Sequence, residues 1–220
     1  ILMPALTSFL ESGCDHTSPA RSTCQLPALP PLPILPPLSM ASSNELIAVI
    51  DLGAQYAQLI ARRVRELKVY CRVLRYDTPV AELARLPNLK GIILSGGPAS
   101  VYAKGAPRVD PALFELGVPV LGICYGLQLT SFLLGGKVAK AGTREYGPAE
   151  IRRTAPSRLL KGLPARMPVW MSHGDSVARL PRGMRRVAAS PDCPYAVAEA
   201  PEQGLYGLQF HPEVVHTPHG

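Results

Sequence analysis

Residues 117–136, GVPVLGICYGLQLTSFLLGG, constrain the fold more than any other stretch of the chain. Residues 118–123 are an apolar, β-branched run, Gly122-Ile123-Cys124-Tyr125-Gly126 is a G-x-C-x-G turn, and 127–134 carries apolar residues at helical spacing. Strand, tight turn and helix in that order lift the central residue above the end of a sheet. Glycine stands on either side because a larger residue would collide with strand or helix. The pattern predicts that Cys124 is presented rather than buried, with its sulfur at a helix N-terminus whose unpaired N–H groups and dipole favour thiolate over thiol. A thiolate nucleophile needs a base and a group that orients the base, and His211 and Glu213 supply that pair far downstream. An unpaired cysteine taken alone reads as a core residue. The elbow and the late His-x-Glu carry the nucleophilic reading instead.

Around this element strands and helices alternate. Residues 45–52, ELIAVIDL, read as a buried parallel strand, and 55–68 as an amphipathic helix with Arg62 and Arg65 off its apolar stripe. Residues 69–74 predict a second strand, 80–86 a short helix, and 91–94 a third strand running into Ser95-Gly96-Gly97-Pro98. This order implies an α/β fold: an open, mostly parallel sheet flanked by helices. Sites in such sheets form beyond the carboxyl ends of the strands, which puts SGGP and the cysteine elbow on one rim. An acyl transfer through cysteine develops an oxyanion, and the backbone N–H groups of Gly97 and Tyr125 are candidate donors.

Beyond the elbow, 137–151 reads as strand and turn and 152–163 as loop. PVWMS at 168–172 reads as a strand leading into His173-Gly174-Asp175, 184–189 and 196–199 as paired strands, and LYGLQF at 205–210 as a last strand delivering His211-Pro212-Glu213. Pro212 fixes the backbone between the two polar side chains.

Composition sets the outer bounds. At 220 residues with 24 prolines, the chain fits one domain plus a tail, and PALPPLPILPPL falls within the first 44 residues. That segment is expected to be a disordered leader, or an extension ahead of a true start at Met40, with the domain occupying 45–220. The segment lacks the charge pattern of a targeting peptide, and no run of about 20 apolar residues suggests a membrane span. Five cysteines at 14, 24, 71, 124 and 193, with no C-x-x-C spacing, argue against a disulfide framework and for a reducing, cytoplasmic setting. A net charge of +7 dispersed among apolar residues with few aromatics argues against nucleic-acid binding. His211, His216 and His219 lack the cysteine or carboxylate spacing of a metal site, so none is expected, and no phosphate-binding G-x-x-x-x-G-K-[ST] is present.

With Cys124, His211 and Glu213 in hand, the sequence resembles the class I glutamine amidotransferases, whose signature is a G-x-C-x-G-x-Q elbow and a terminal H-P-E. Here these read GICYGLQ and HPE. Within that family it is most similar to the amidotransferase domains of GMP synthases, through DLGAQYAQLIARRVRE at 51–66, GIILSGGPASVY at 91–102, VWMSHGD at 169–175 and GLQFHPEVVHT at 207–217. The resemblance implies that Cys124 attacks the side-chain amide of glutamine, that His211 is base and then acid, and that Glu213 orients His211. It places Gln128, Ser172, Gly174 and Asp175 at the substrate glutamine, for which the Asp175 carboxylate suits the ammonium group. It implies no cofactor in this domain. The partner is an ATP-pyrophosphatase synthetase domain or subunit that uses ATP and Mg2+ on XMP, which lies outside this chain. The family also places a helix after HPEVVHT, so the domain is expected to be truncated at its C-terminus. The alternatives left open are a thiol hydrolase acting on γ-glutamyl peptides and a non-catalytic binding domain of the same fold.

Overall fold

A computed structural model describes residues 45–220, except for the side chains at 141–144; the proline-rich segment expected to be a leader lies outside the described residues. The first strand is β1 (Leu46–Asp51), whose near-continuous apolar run is buried on both faces, as a strand covered on two sides requires. β1 pairs in parallel with β2 (Tyr70–Arg75) and β3 (Leu89–Leu94). On one face Val49 packs with Ile60 and Ala61 of α1 (Ala57–Glu66) and with Cys71. On the other, Ala48 and Ile50 share a cluster with Leu83 of α2 (Val80–Ala84) and with Leu127 and Leu129 of α3 (Tyr125–Leu133). The period-2 alternation of β1 thus assigns α1 to one face and α2 and α3 to the other.

β3 pairs in parallel with β4 (Val120–Ile123), and β4 with β9 (Leu205–Leu208). The nine-stranded sheet runs β2-β1-β3-β4-β9-β8-β7-β5-β6, where β5 is Lys137–Arg153, β6 Arg166–Arg179, β7 Arg185–Ala189 and β8 Val197–Ala200. The first five strands in this order are parallel, and the remaining pairs, from β9/β8 outward, are antiparallel. The antiparallel half has its own core, in which Ile151, Met167, Val169, Val187 and Val197 meet Leu208 and Phe210.

Two sequence expectations change. The stretch expected to be strand, turn and loop is one long strand reaching Arg153, with its register shifting between Lys140 and Glu145. His173-Gly174-Asp175, expected to follow the strand at 168–172, lies inside β6, with His173 opposite Glu145 and Asp175 opposite Lys140. A polar run can continue a strand here because β5 supplies the ladder partners. Among the described residues no helix is long and apolar enough to cross a membrane.

Three loops leave the carboxyl ends of the adjacent strands β3, β4 and β9, and they bring SGGP, the elbow and His-Pro-Glu to one rim. The elbow is possible only because β4, α3 and β3 approach without side chains between them. A Cβ on Gly122 would lie 2.6 Å from both the Gly126 carbonyl carbon and the Leu127 nitrogen, and one on Gly126 would strike the Leu94 backbone. Those obstacles are backbone and cannot swing away. At Gly91, by contrast, the nearest atom to an added Cβ is the Ile47 Cδ1 methyl, at 3.2 Å. Gly126→Ala is therefore expected to lower unfolding free energy by about 3 kcal/mol and Gly91→Ala by about 1 kcal/mol or less, read from denaturant midpoints at constant m-value. Equal effects would contradict this account of the elbow.

Candidate active site

Cys124 sits at φ 51, ψ −106, a left-handed conformation that a non-glycine residue adopts at a cost of roughly 1–3 kcal/mol. Its N–H donates to the Leu208 carbonyl of β9 at 2.7 Å, and its carbonyl accepts from the Gln128 N–H at 3.2 Å. The strained residue is therefore tied to the neighbouring strand on one side and to the first turn of α3 on the other. The expectation that Cys124 is presented rather than buried is corrected: it is 3 % exposed. The elbow does lift it beyond the strand end, but the surrounding loops and β6 wall it in. It lines a cleft of about 670 Å3 formed by residues 53–56 after β1, 97–100 after β3, and Lys140, Tyr146 and 172–175 on β5 and β6. Its thiol donates to the Ser172 carbonyl at 3.6 Å and accepts from the Gln209 side-chain amide at 3.7 Å.

His211 follows β9 by three residues, is 6 % exposed, and lines the same cleft. Its Nδ1 lies 2.7 Å from Glu213 Oε1, and Glu213 is itself 3 % exposed. The proline between them keeps these side chains two residues apart on a non-helical turn, as the sequence implied. The turn is pinned from outside. The His211 N–H donates to the Trp170 carbonyl at 3.0 Å, the Thr217 hydroxyl donates to the His211 carbonyl at 2.7 Å, and Arg63 Nε donates to the Glu213 carbonyl at 3.0 Å.

Burial alone would lower the His211 pKa, but hydrogen bonds with Cys124 and Glu213, and the negative charge of both partners, outweigh it and raise the ring to about 10. The His211 ring is thus favoured in its protonated form between the Cys124 sulfur and Glu213. Because this folded-state value lies above the ordinary 6.5, the pair's contribution to stability is fully present below pH 6.5 and is lost as pH rises through about 10.

Each predicted site residue lies in or against this cleft. Gly97 lines it, and a Cβ there would lie 2.6 Å from the Leu52 carbonyl. The Ser95 hydroxyl holds that loop by accepting from the Leu52 N–H and donating to the Gly96 carbonyl, at 2.9 Å each. Tyr125 opens α3, and its side chain points away to the Pro107 carbonyl, leaving only its backbone toward the elbow. Among the described residues neither the Gly97 nor the Tyr125 N–H has a backbone acceptor among the bonds outside helices and strands. Gln128 is 3 % exposed and donates to the Asp175 carbonyl at 2.7 Å, which ties α3 to β6 beside the sulfur. Ser172, Gly174 and Asp175 form the β6 wall.

Sequence reasoning missed several residues here. Gln209, fully buried, holds both the Cys124 sulfur and the Gln128 amide. Tyr56 lies edge-on to His211, with ring centroids 5.9 Å apart. His173, Lys140 and Tyr146 line the cleft. Only Gln209 had a signal, as the one polar residue in an otherwise apolar last strand. His216 stacks on Trp170 at 4.4 Å instead of joining His211, and among the described residues His211, His216 and His219 do not gather into one donor cluster.

The sequence model of the family described as glutamine amidotransferase class-I matches residues 48–220. The GMP synthase [glutamine-hydrolyzing] of Parafrankia sp. is 59% identical over 175 residues, covering 79% of this chain and 32% of that protein. The protein of the same name from Staphylococcus carnosus is 52% identical over 183 residues, covering 83% of this chain and 35% of that protein. The chain thus spans about a third of the length of these curated relatives. Among solved structures, a Thermoplasma acidophilum protein provisionally assigned as a GMP synthase subunit superposes with a TM-score of 0.69 at 31% identity, covering 79% of this chain and 86% of that one. A glutamine amidotransferase of Thermotoga maritima gives 0.61 at 27% identity, covering 78% and 77%.

The charge pattern is directly measurable. Nitrogen-15 NMR of the His211 ring is expected to show the doubly protonated form through neutral pH, with titration near about 10. Glu213→Gln should move that titration down by roughly one unit or more. A ring that titrates near 6.5 in the folded wild-type protein would contradict the pairing.

Proposed function

The chain belongs to the class-I glutamine amidotransferases, and from that membership we propose that its cleft releases ammonia from glutamine through Cys124, His211 and Glu213 and delivers it to a synthetase that converts XMP to GMP. The observation that supports this most is convergence. A strained cysteine, a buried histidine with its carboxylate, and two candidate backbone donors come from the ends of three adjacent strands and meet in one cleft.

In this reading the Cys124 thiolate attacks the side-chain amide carbon of glutamine. The tetrahedral oxyanion is met by the Gly97 and Tyr125 N–H groups. The His211 imidazolium gives its proton to the departing nitrogen as the C–N bond breaks, leaving a γ-glutamyl thioester and ammonia. The neutral ring then takes a proton from water, whose hydroxide attacks the thioester, and Cys124 leaves as thiolate with glutamate released. Glu213 holds the ring orientation and stabilises the imidazolium at both stages. Gln128 positions the β6 wall, while Ser172, Gly174 and Asp175 face the amino-acid end of the substrate, with the Asp175 carboxylate toward the ammonium group.

Burial of the thiol fits this chemistry, because water excluded from the cleft strengthens each of these electrostatic contacts. The synthetase half of the reaction, with its ATP and Mg2+, belongs to a partner domain or subunit of the ATP-pyrophosphatase kind. Free ammonia would be lost to solvent, so hydrolysis is gated by that partner through closure of the cleft around the oxyanion donors.

Cys124→Ala is expected to reduce ammonia release from glutamine by at least about 10³-fold, whereas Cys71→Ala stays within about threefold because it changes packing alone. In an assembly with the synthetase, GMP formation from added ammonia should survive the Cys124 change. A folded Cys124→Ala protein that loses ammonia-dependent synthesis as well would overturn the division of labour.

A further inference from the structure

Beside the cleft, outside the Cys124–His211–Glu213 set, lies a second group of chemically active side chains. Glu145 of β5 and His173 of β6 face each other in the antiparallel ladder just past the register shift. Cys193 comes from the turn between β7 and β8. That turn is closed by the Ser190 N–H to the Cys193 carbonyl and by the Cys193 N–H to the Ser190 hydroxyl, at 2.9 Å each. One donor atom from each of Glu145, His173 and Cys193 lies within 4.8 Å of the others.

Their polar atoms are not satisfied by one another. The side chains of His173 and Glu145 are 1 % and 9 % exposed, and His173 Nε2 lies 3.0 Å from Glu145 Oε2. Yet both ring nitrogens of His173 and Glu145 Oε2 lack an aligned hydrogen-bond partner. The Ser190 hydroxyl occupies only the other oxygen, Oε1, at 2.9 Å. Buried polar atoms are nearly always paired, and apart from the close His173–Glu145 approach these have no aligned hydrogen bond, which is costly unless something sits among them.

The donors are a thiol, an imidazole and a carboxylate, the set that selects zinc among common divalent ions. Tetrahedral zinc, with bonds of about 2.0–2.3 Å, needs donors roughly 3.3–3.8 Å apart, so a cluster this tight closes with small shifts. His173 also lines the cleft, so the cluster lies directly behind the cleft wall. We propose that Glu145, His173 and Cys193 bind a single zinc-class divalent cation in the wall of the cleft.

Burial acts on two of the ligands in opposite directions. It lowers the His173 pKa, so the ring is the neutral form that ligates. It pushes the Cys193 thiol up to about 12, so the thiol is inert without an ion and releases one proton to solvent when the metal–sulfur bond forms. The site does not rest on the glutaminase reading, because its readout is metal binding and not turnover.

The test uses the full chain carrying Cys124→Ser, which removes the elbow thiol as a competing ligand. Equilibrium dialysis with zinc should give one ion per chain. Cobalt titration should give a near-ultraviolet thiolate-to-metal charge-transfer band, and zinc should raise the melting temperature. Adding Cys193→Ser should abolish the band, and adding His173→Asn should weaken zinc binding at least about tenfold. Glu145→Gln, which keeps the side-chain shape, gives the same loss of affinity should the cysteine change unfold the chain. If the Cys124→Ser protein binds no zinc at micromolar concentrations, or if the band persists without Cys193, the proposal is wrong.

Discussion

One backbone conformation underlies the rest of the structure: Cys124 held at φ 51, ψ −106 between Gly122 and Gly126. No isolated peptide would keep a cysteine there. It persists because β4 is hydrogen-bonded between β3 and β9, and α3 lies so close to them that Gly126 touches the Leu94 backbone. The parallel half of the sheet is thus the clamp that stores this strain. The reward is a sulfur aimed at the mouths of the SGGP loop and the His-Pro-Glu turn, which leave the strands on either side.

Charge follows from that placement. A buried imidazole would ordinarily stay neutral, yet His211 gains more from the Cys124 and Glu213 charges than it loses on burial. The antiparallel half of the sheet makes the burial possible. β6 brings Ser172–Asp175 across the cleft, the Trp170 carbonyl holds the His211 N–H, and the Gln128 amide bonds back to the Asp175 carbonyl. The two halves of the sheet therefore divide the work, one aiming the reacting groups and the other walling them from water.

Much of this was legible in the sequence. The glycine spacing around Cys124 announces a turn that only backbone can fill, and the apolar runs ending in SGGP and HPE mark strand ends that a parallel sheet gathers on one rim. The depth of the cysteine was not legible, because burial of an elbow depends on loops contributed by distant segments. Nor was the strand character of His173-Gly174-Asp175, where a polar stretch is held extended by β5 across the ladder. Gln209 and Tyr56 act on the site through tertiary contact, and the Glu145, His173 and Cys193 donors come from three separate segments, so no spacing rule could join them.

The central claim is that the elbow makes Cys124 the atom that bonds to substrate. Its most direct test is acid quenching of the protein during turnover of glutamine, followed by proteolysis and mass spectrometry. The account predicts a γ-glutamyl thioester on the peptide containing Cys124, absent when glutamine is omitted and carried by no other cysteine. Glutamate formation with no adduct on Cys124, or with the adduct on Cys71 or Cys193, would contradict it.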